Sequence, residues 1–299
     1  MVAKISKYYH TLKYLRPIQF RYRAYYFVRA RWRKLNGFKY PLVRKYAAKD
    51  KISLSLSLPQ HTAYSPKNTF QFLHISHTFP EQIDWNYSNY GKLWTYNLNY
   101  FEFLEQENIN IEEAKSLIYS FIDQPNLKDG LEPFPIALRL LNWVKFLVKH
   151  NINDAKIEEA MYAHAYILSD NIEYHLLGNH LLEDGFGLLF AAYYFQDNVL
   201  YQKAATILLA ELEEQILSDG AHFELSPMYH QHILFRVLDS INIVANNPFQ
   251  NQELLPLLSQ KAAIMLGWLT QMTFPNGDIP MFNDSAPDIA PTSAQLFDY

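Results

Sequence analysis

Two short stretches hold the residue types that could do chemistry. Residues 219–231, DGAHFELSPMYHQ, set His222, Glu224, Tyr229 and His230 around a Gly turn and a Ser-Pro break. Residues 178–187, GNHLLEDGFG, carry Asn179, His180, Glu183 and Asp184. A tyrosine with an unperturbed pKa near ~10 is a poor base at neutral pH. Cationic neighbours such as His or Arg would lower that value and make Tyr229 a usable proton shuttle. Asn179 and His180 follow Gly178 at an expected helix start, where backbone N–H groups and the helix dipole favour an anion. Glu183 and Asp184 lie three and four positions after His180, so either could orient its imidazole. The plain alternative is that Asn179 is only an N-cap. Gly185 and Gly187 would cost a helix stability unless another helix or a ligand passes close to the backbone. The His and Glu groups could ligate zinc, but no HExxH is present, and neither a metal nor another cofactor is expected.

A third set, Arg139, Asn142 and Trp143, shares one helix face at i, i+3 and i+4. Arg offers a fork for a carboxylate or sulfate, and Trp a plane on which a sugar can stack. A buried structural Arg with a rim Trp fits the same pattern.

The elements that must position these groups read as helices. Apolar spacing at i, i+3, i+4 and i+7 predicts helices over 111–124, 134–150, 154–176, 179–195, 198–217, 228–245 and 253–274. Connections are short and marked by Gly, Asn or Pro, so sequential antiparallel hairpins are expected, in a bundle or a toroid of helical pairs. The fold class is therefore all-α, with a short strand or hairpin near 51–80. Residues 84–103, DWNYSNYGKLWTYNLNYFEF, read either as a rim loop lined with stacking groups or as a plug in one end of the helical barrel. Residues 51–110 as a whole are expected to sit as an irregular segment on the helical domain of 111–274. Residues 275–299 read as a loop tail.

Charge is unevenly spread. Residues 1–50 hold 14 of the 26 Lys and Arg and one of the 30 acids, a net +13, leaving 12 bases against 29 acids, or −17. That basic, aromatic arm is expected to be helical through residue 35. It could lie on an anionic membrane surface, bind nucleic acid, or simply pack on the domain. The absence of cysteine excludes disulfides and Cys metal sites. No apolar run is long enough to span a bilayer, and no secretory signal is evident. The 22 Tyr and 20 Phe are a high share; tyrosine-rich surfaces suit carbohydrate, and an aromatic-rich helical core is the plain alternative for most of these rings.

Taken together, DGAHFELSPMYH, GNHLLEDGFG, FPIALRLLNWVKF and WNYSNYGKLWTYNLNYFEFL resemble the N-terminal domain of heparinase II/III-type polysaccharide lyases, the heparan-sulfate lyase group. The resemblance covers roughly residues 80–290. The YYHTLKYLRPIQ opening is similar to members encoded with bacterial surface-polysaccharide genes. It implies an incomplete (α/α) toroid with a cleft at one end, and β-elimination on a uronic-acid-containing, acidic glycan rather than on nucleic acid. By motif, Asn179 would bond the uronate carboxylate, His180 would assist, and Tyr229 would move the proton. Arg139, Asn142, Trp143, Glu183, His222, Glu224 and His230 would hold substrate. It also implies a bacterial envelope or periplasmic setting, with a cytoplasmic or membrane-peripheral one as the alternative. Two features depart from the pattern. Such enzymes continue into a C-terminal β-sandwich, whereas this sequence stops at Tyr299, and His222 stands where alginate-lyase relatives carry an Arg. Two other functions fit the residues: a non-catalytic glycan-binding module, and a toroid glycoside hydrolase pairing Glu183 or Asp184 with Glu224.

Overall fold

The computed structural model describes residues 13–47, 50–55, 57–61, 63–250 and 253–299. The first twelve residues of the basic arm, Tyr8 among them, lie outside the described residues. The arm begins with α1 (Pro17–Leu35), where Pro17 takes the first helical position and the Gln19 side chain accepts from the Arg16 N–H. Residues 51–80 supply a three-stranded antiparallel sheet, β1 (Tyr64–Ser65), β2 (Thr69–Phe72) and β3 (Ile75–Thr78), with Thr69 opposite Thr78 and Phe72 opposite Ile75. Then come α2 (Lys92–Tyr100), α3 (Ile111–Ile122), α4 (Pro133–Lys149), α5 (Ala155–Asp170), α6 (Gly178–Phe195), α7 (Asn198–Gln215), α8 (Pro227–Ala245), α9 (Leu254–Met272) and the short α10 (Ser293–Asp298).

Side-chain caps fix several of these starts. Asp154 accepts from the N–H groups of Lys156 and Ile157, Asp197 from those of Val199 and Leu200, and Ser226 from that of Tyr229. Short connections turn α4–α5, α6–α7 and α8–α9 into hairpins, so α4, α6 and α8 all begin at one end. The helix α6 is the central member. Every residue from Leu181 to Phe195 is buried, against α4 on one side and α7 on the other. Its glycines explain the closeness. A Cβ on Gly187 would fall 2.6 Å from Ala137 Cα in α4, and one on Gly185 would fall 2.9 Å from Ile207 Cγ2 in α7. A neighbouring helix, and not a ligand, is what approaches both positions.

The aromatic segment 84–103 is not an open rim. Trp85 and Trp94 are wholly buried. Trp94 Nε1 donates to the Ile75 carbonyl at 3.1 Å, and Trp85 stacks on Phe101 at 4.9 Å. The two tryptophans are core groups and not a stacking rim, and helix α2 starts within the segment, at Lys92. The tail also differs from expectation. Asn283 Nδ2 donates to the Leu225 carbonyl, and Ser226 Oγ donates to the Asp284 carbonyl at 2.7 Å. Farther on, α10 packs on α8, and the Tyr299 hydroxyl donates to Asp239 at 2.6 Å. The tail folds back over the start of α8 because Ser226, already the α8 cap, also holds residues 284 and 285.

Candidate active site

The chain enters α6 through two residues with left-handed backbone, Leu177 (φ 66°) and Gly178 (φ 64°). That conformation is costly for leucine, and such strain clusters at functional sites. It is held from behind. Gln215 Nε2 donates to the Gly178 carbonyl at 2.9 Å, and His222 Nε2 donates to Gln215 Oε1 at 3.1 Å. His222 is buried, so it supports the turn from the rear and does not meet substrate.

Asn179 and His180, the first residues past this turn, are half-exposed. The Asn179 side chain makes no hydrogen bond among the described residues, so it is not acting as an N-cap; the position before the helix belongs to Leu177. His180 Nδ1 donates to Glu173 at 2.9 Å, and Nε2 makes no hydrogen bond among the described residues. The orienting carboxylate is thus Glu173 from the preceding loop. Glu183 instead pairs with Arg236 Nε at 3.3 Å, and Asp184 accepts from the Glu173 N–H at 2.7 Å. Both are buried, which removes them as a hydrolytic pair with exposed Glu224 and removes Glu183 from the substrate-binding set.

Tyr229 lies in the first turn of α8 and is half-buried. Glu224 ties the two helix starts together. Its Oε1 lies 3.8 Å from where a Gly178 Cβ would stand, it faces the Asn179 backbone N–H, and its charge acts on Tyr229. Burial, then the Asp284 and Glu224 carboxylates, push the Tyr229 phenol above its usual range. The sequence suggested cationic neighbours and a lowered value, and the opposite holds. At neutral pH Tyr229 is a phenol that can give a proton. His230 and His222 are both pushed down to about 4 by burial, and His230 Nε2 donates to the Met265 carbonyl at 3.1 Å. Each is a neutral core histidine and not a substrate contact.

The α4 set is interior as well. Arg139 donates to the carbonyls of Asn99 at 3.0 Å and Gly130 at 2.8 Å, and Asn142 donates to that of Tyr100 at 2.9 Å. Trp143 is fully buried. These residues are interior: Arg139 and Asn142 tie α4 to the end of α2, and Trp143 packs on Phe101, Phe121 and His164. What α4 does bring to the site is Phe134, whose ring lies 4.6 Å from that of His180.

Behind Tyr229, one face of α8 carries a polar row, His232, Arg236 and Asp239, at i+3, i+7 and i+10, of which Arg236 and Asp239 stand outside the motifs singled out in the sequence. Burial holds His232 down to about 4. Buried Arg236 stays charged between Glu183 and Glu102, the latter at 3.5 Å. Asp239 takes Lys145 at 3.1 Å. The i, i+3, i+7 spacing was the available signal. Among the described residues, no cluster of three or more metal-ligating side chains is present.

Residues 139–297 match the model of the heparinase II/III N-terminus, more than half of the chain. The chain belongs to this family. A solved heparinase III with methylated lysines aligns at TM-score 0.51 and 20% identity, over 73% of this chain and 41% of that one. A second heparinase III structure aligns at TM-score 0.50 and 18% identity, over 70% and 39%. A heparan sulfate lyase from Pedobacter heparinus aligns at 0.49 and 18%, over 73% and 38%. The chain thus spans about two fifths of the length of these structures. No curated protein matches it. At such identities the likeness carries the fold: the helical hairpins described above form the toroid of heparinase-like proteins. It leaves the residue roles to the geometry.

Proposed function

We propose that this chain forms the helical wall of a polysaccharide lyase cleft and acts on a uronic-acid-containing glycan by β-elimination. One observation carries the reading. An unpartnered Asn179 amide and a carboxylate-oriented His180 open onto the same end as a tyrosine held in its proton-donating form. The C5 proton of a uronate becomes acidic when donors neutralise the adjacent carboxylate, as in an oxyanion hole. The Asn179 amide supplies such a donor. With Nδ1–H committed to Glu173, His180 Nε2 is free to take the C5 proton. The C–H pair becomes the C4–C5 double bond, the C4–O bond breaks, and the Tyr229 phenol protonates the departing oxygen. Burial of Glu183 and Asp184 speaks against the hydrolytic alternative, which needs two carboxylates flanking the bond. The test is to incubate the protein with a panel of uronic polysaccharides, heparan sulfate among them, and follow the ultraviolet absorbance of unsaturated uronate. New reducing ends without absorbance would indicate hydrolysis.

A separate feature concerns the arm. One face of α1 docks: Arg29 and Arg33 reach Asp170 at 3.1 and 2.6 Å, and Tyr26 and Gln19 donate to the carbonyls of Ile172 and Leu176. The opposite face exposes Phe20, Phe27, Val28, Trp32 and Leu35 beside Arg21, Arg31 and Lys34. We propose that this face rests on an anionic membrane surface. Co-sedimentation with phosphatidylglycerol vesicles, lost in Phe27→Asp/Trp32→Asp and absent with phosphatidylcholine, would support it. Equal sedimentation of that variant would refute it.

A further inference from the structure

A second concave site lies outside the cleft, between the chain that follows α1 and the outer wall of α5 and α7. It encloses about 420 Å³. Volumes of this order suit a ligand of a few rings. Three cations line it, Arg33, Arg44 and Lys203, against one carboxylate, Asp170. Each cation is already fixed in place. Arg33 stands on Asp170 at 2.6 Å and on the Phe38 ring at 4.4 Å. Lys203 Nζ donates to the Ser169 carbonyl at 2.9 Å and to its hydroxyl at 2.6 Å, which leaves one N–H. Arg44 lies 3.6 Å from the centroid of Tyr166, and among the described residues its guanidinium has no carboxylate partner. Stacking holds that fork flat while its N–H edges remain open. Phe38 and Tyr40 add rings to the same pocket, and Phe38 is 45% exposed.

We propose that this pocket is a secondary binding site for the carboxylate- or sulfate-bearing sugars of an acidic polysaccharide. The surplus of fixed cations matches the anionic groups, and the rings match the flat faces of pyranoses. A bare phosphate would need the first but not the second. The chain links the pocket to the proposed site: Asp170 ends α5, and residues 171–177 lead to Gly178 at the start of α6. The inference rests on the cleft acting on acidic glycan, and its test separates the two.

The experiment uses affinity electrophoresis through gels containing heparan sulfate, on the Tyr229→Phe protein so that the polymer survives. Arg44→Ala/Lys203→Gln should weaken retardation about tenfold, the loss expected for charge-assisted hydrogen bonds worth about 1.5 kcal/mol or more. The amide introduced by Lys203→Gln retains a donor for Ser169, and Arg44 is exposed, so folding should be preserved; a melting curve checks this. Binding of a heparan sulfate tetrasaccharide, short enough to fill the cleft alone, should be unchanged in that variant and lost in Asn179→Ala. Unchanged retardation of the double variant would overturn the proposal. So would equal loss on polymer and tetrasaccharide, or equal retardation by single-stranded DNA. If the wild type yields no unsaturated product but the double variant still loses retardation, the cleft reading falls and the pocket stands.

Discussion

The polar residues of α4 and those at the starts of α6 and α8 look alike in sequence and behave oppositely in the fold. Arg139 and Asn142 direct donors to the carbonyls of residues 99, 130 and 100, and both are buried. Asn179 leaves its amide unspent, His180 commits one nitrogen and keeps the other, and Tyr229 faces carboxylates without losing its proton. A polar side chain engaged by buried backbone is fastening; one with capacity left over beside solvent is available to a ligand. The two groups should therefore separate cleanly under mutation, one set through stability and the other through chemistry.

The largest stability effect is expected at Arg139. Arg139→Ala strips two buried carbonyls of their donors and leaves a cavity, so urea unfolding should show a loss of about 3 kcal/mol or more. A loss within ~0.5 kcal/mol, the range of surface substitutions, would put Arg139 back among the candidate substrate contacts. Next is Gly187→Val. Its side chain would collide with the α4 backbone at Ala137, and overpacking of this kind costs about 1–3 kcal/mol. Asn179→Ala lies at the other pole. With no intramolecular partner to lose, it should change stability by less than about 0.5 kcal/mol while slowing turnover.

The buried histidines sharpen the contrast through pH. His222 and His230 have folded pKa values of about 4 and are ordinary imidazoles when unfolded. Below the unfolded value the unfolded chain binds more protons than the folded one. Their contribution is thus complete above about pH 6.5 and is lost as pH falls toward 4. Denaturation midpoints measured across that window should decline with falling pH, by about one proton of slope per histidine. His230→Gln, which keeps a donor for Met265, should flatten the decline.

Much of this was legible in the sequence. The helices from 111 onward are visible in apolar spacing, and Ser226-Pro227 and Asp197 announce their helices by capping chemistry. The meeting of 178–187 with 219–231 follows from parity alone, since helices two apart in a run of hairpins start at one end. What the sequence hid was direction. The face bearing Arg139 and Trp143 is covered because residues 84–103 fold inward, and nothing in α4 states what lies against it. Helical spacing points to Glu183 or Asp184 as the orienting partner of His180, but the loop before the turn at Leu177 supplies Glu173 instead. Burial raises the Tyr229 phenol first, and the carboxylate of Asp284, 55 residues away and carried back by a tail that reads as featureless, raises it further.

The most direct measurement compares wild type with Tyr229→Phe on a uronic polysaccharide by ultraviolet absorbance, with affinity electrophoresis on the same samples. Phenylalanine keeps the ring and removes the transferable proton. Binding should persist while the rate of absorbance increase falls by about 10²–10⁴-fold, the usual contribution of general acid–base catalysis. An undiminished rate in the variant would contradict the assignment of Tyr229 as proton donor, and with it this account of the cleft.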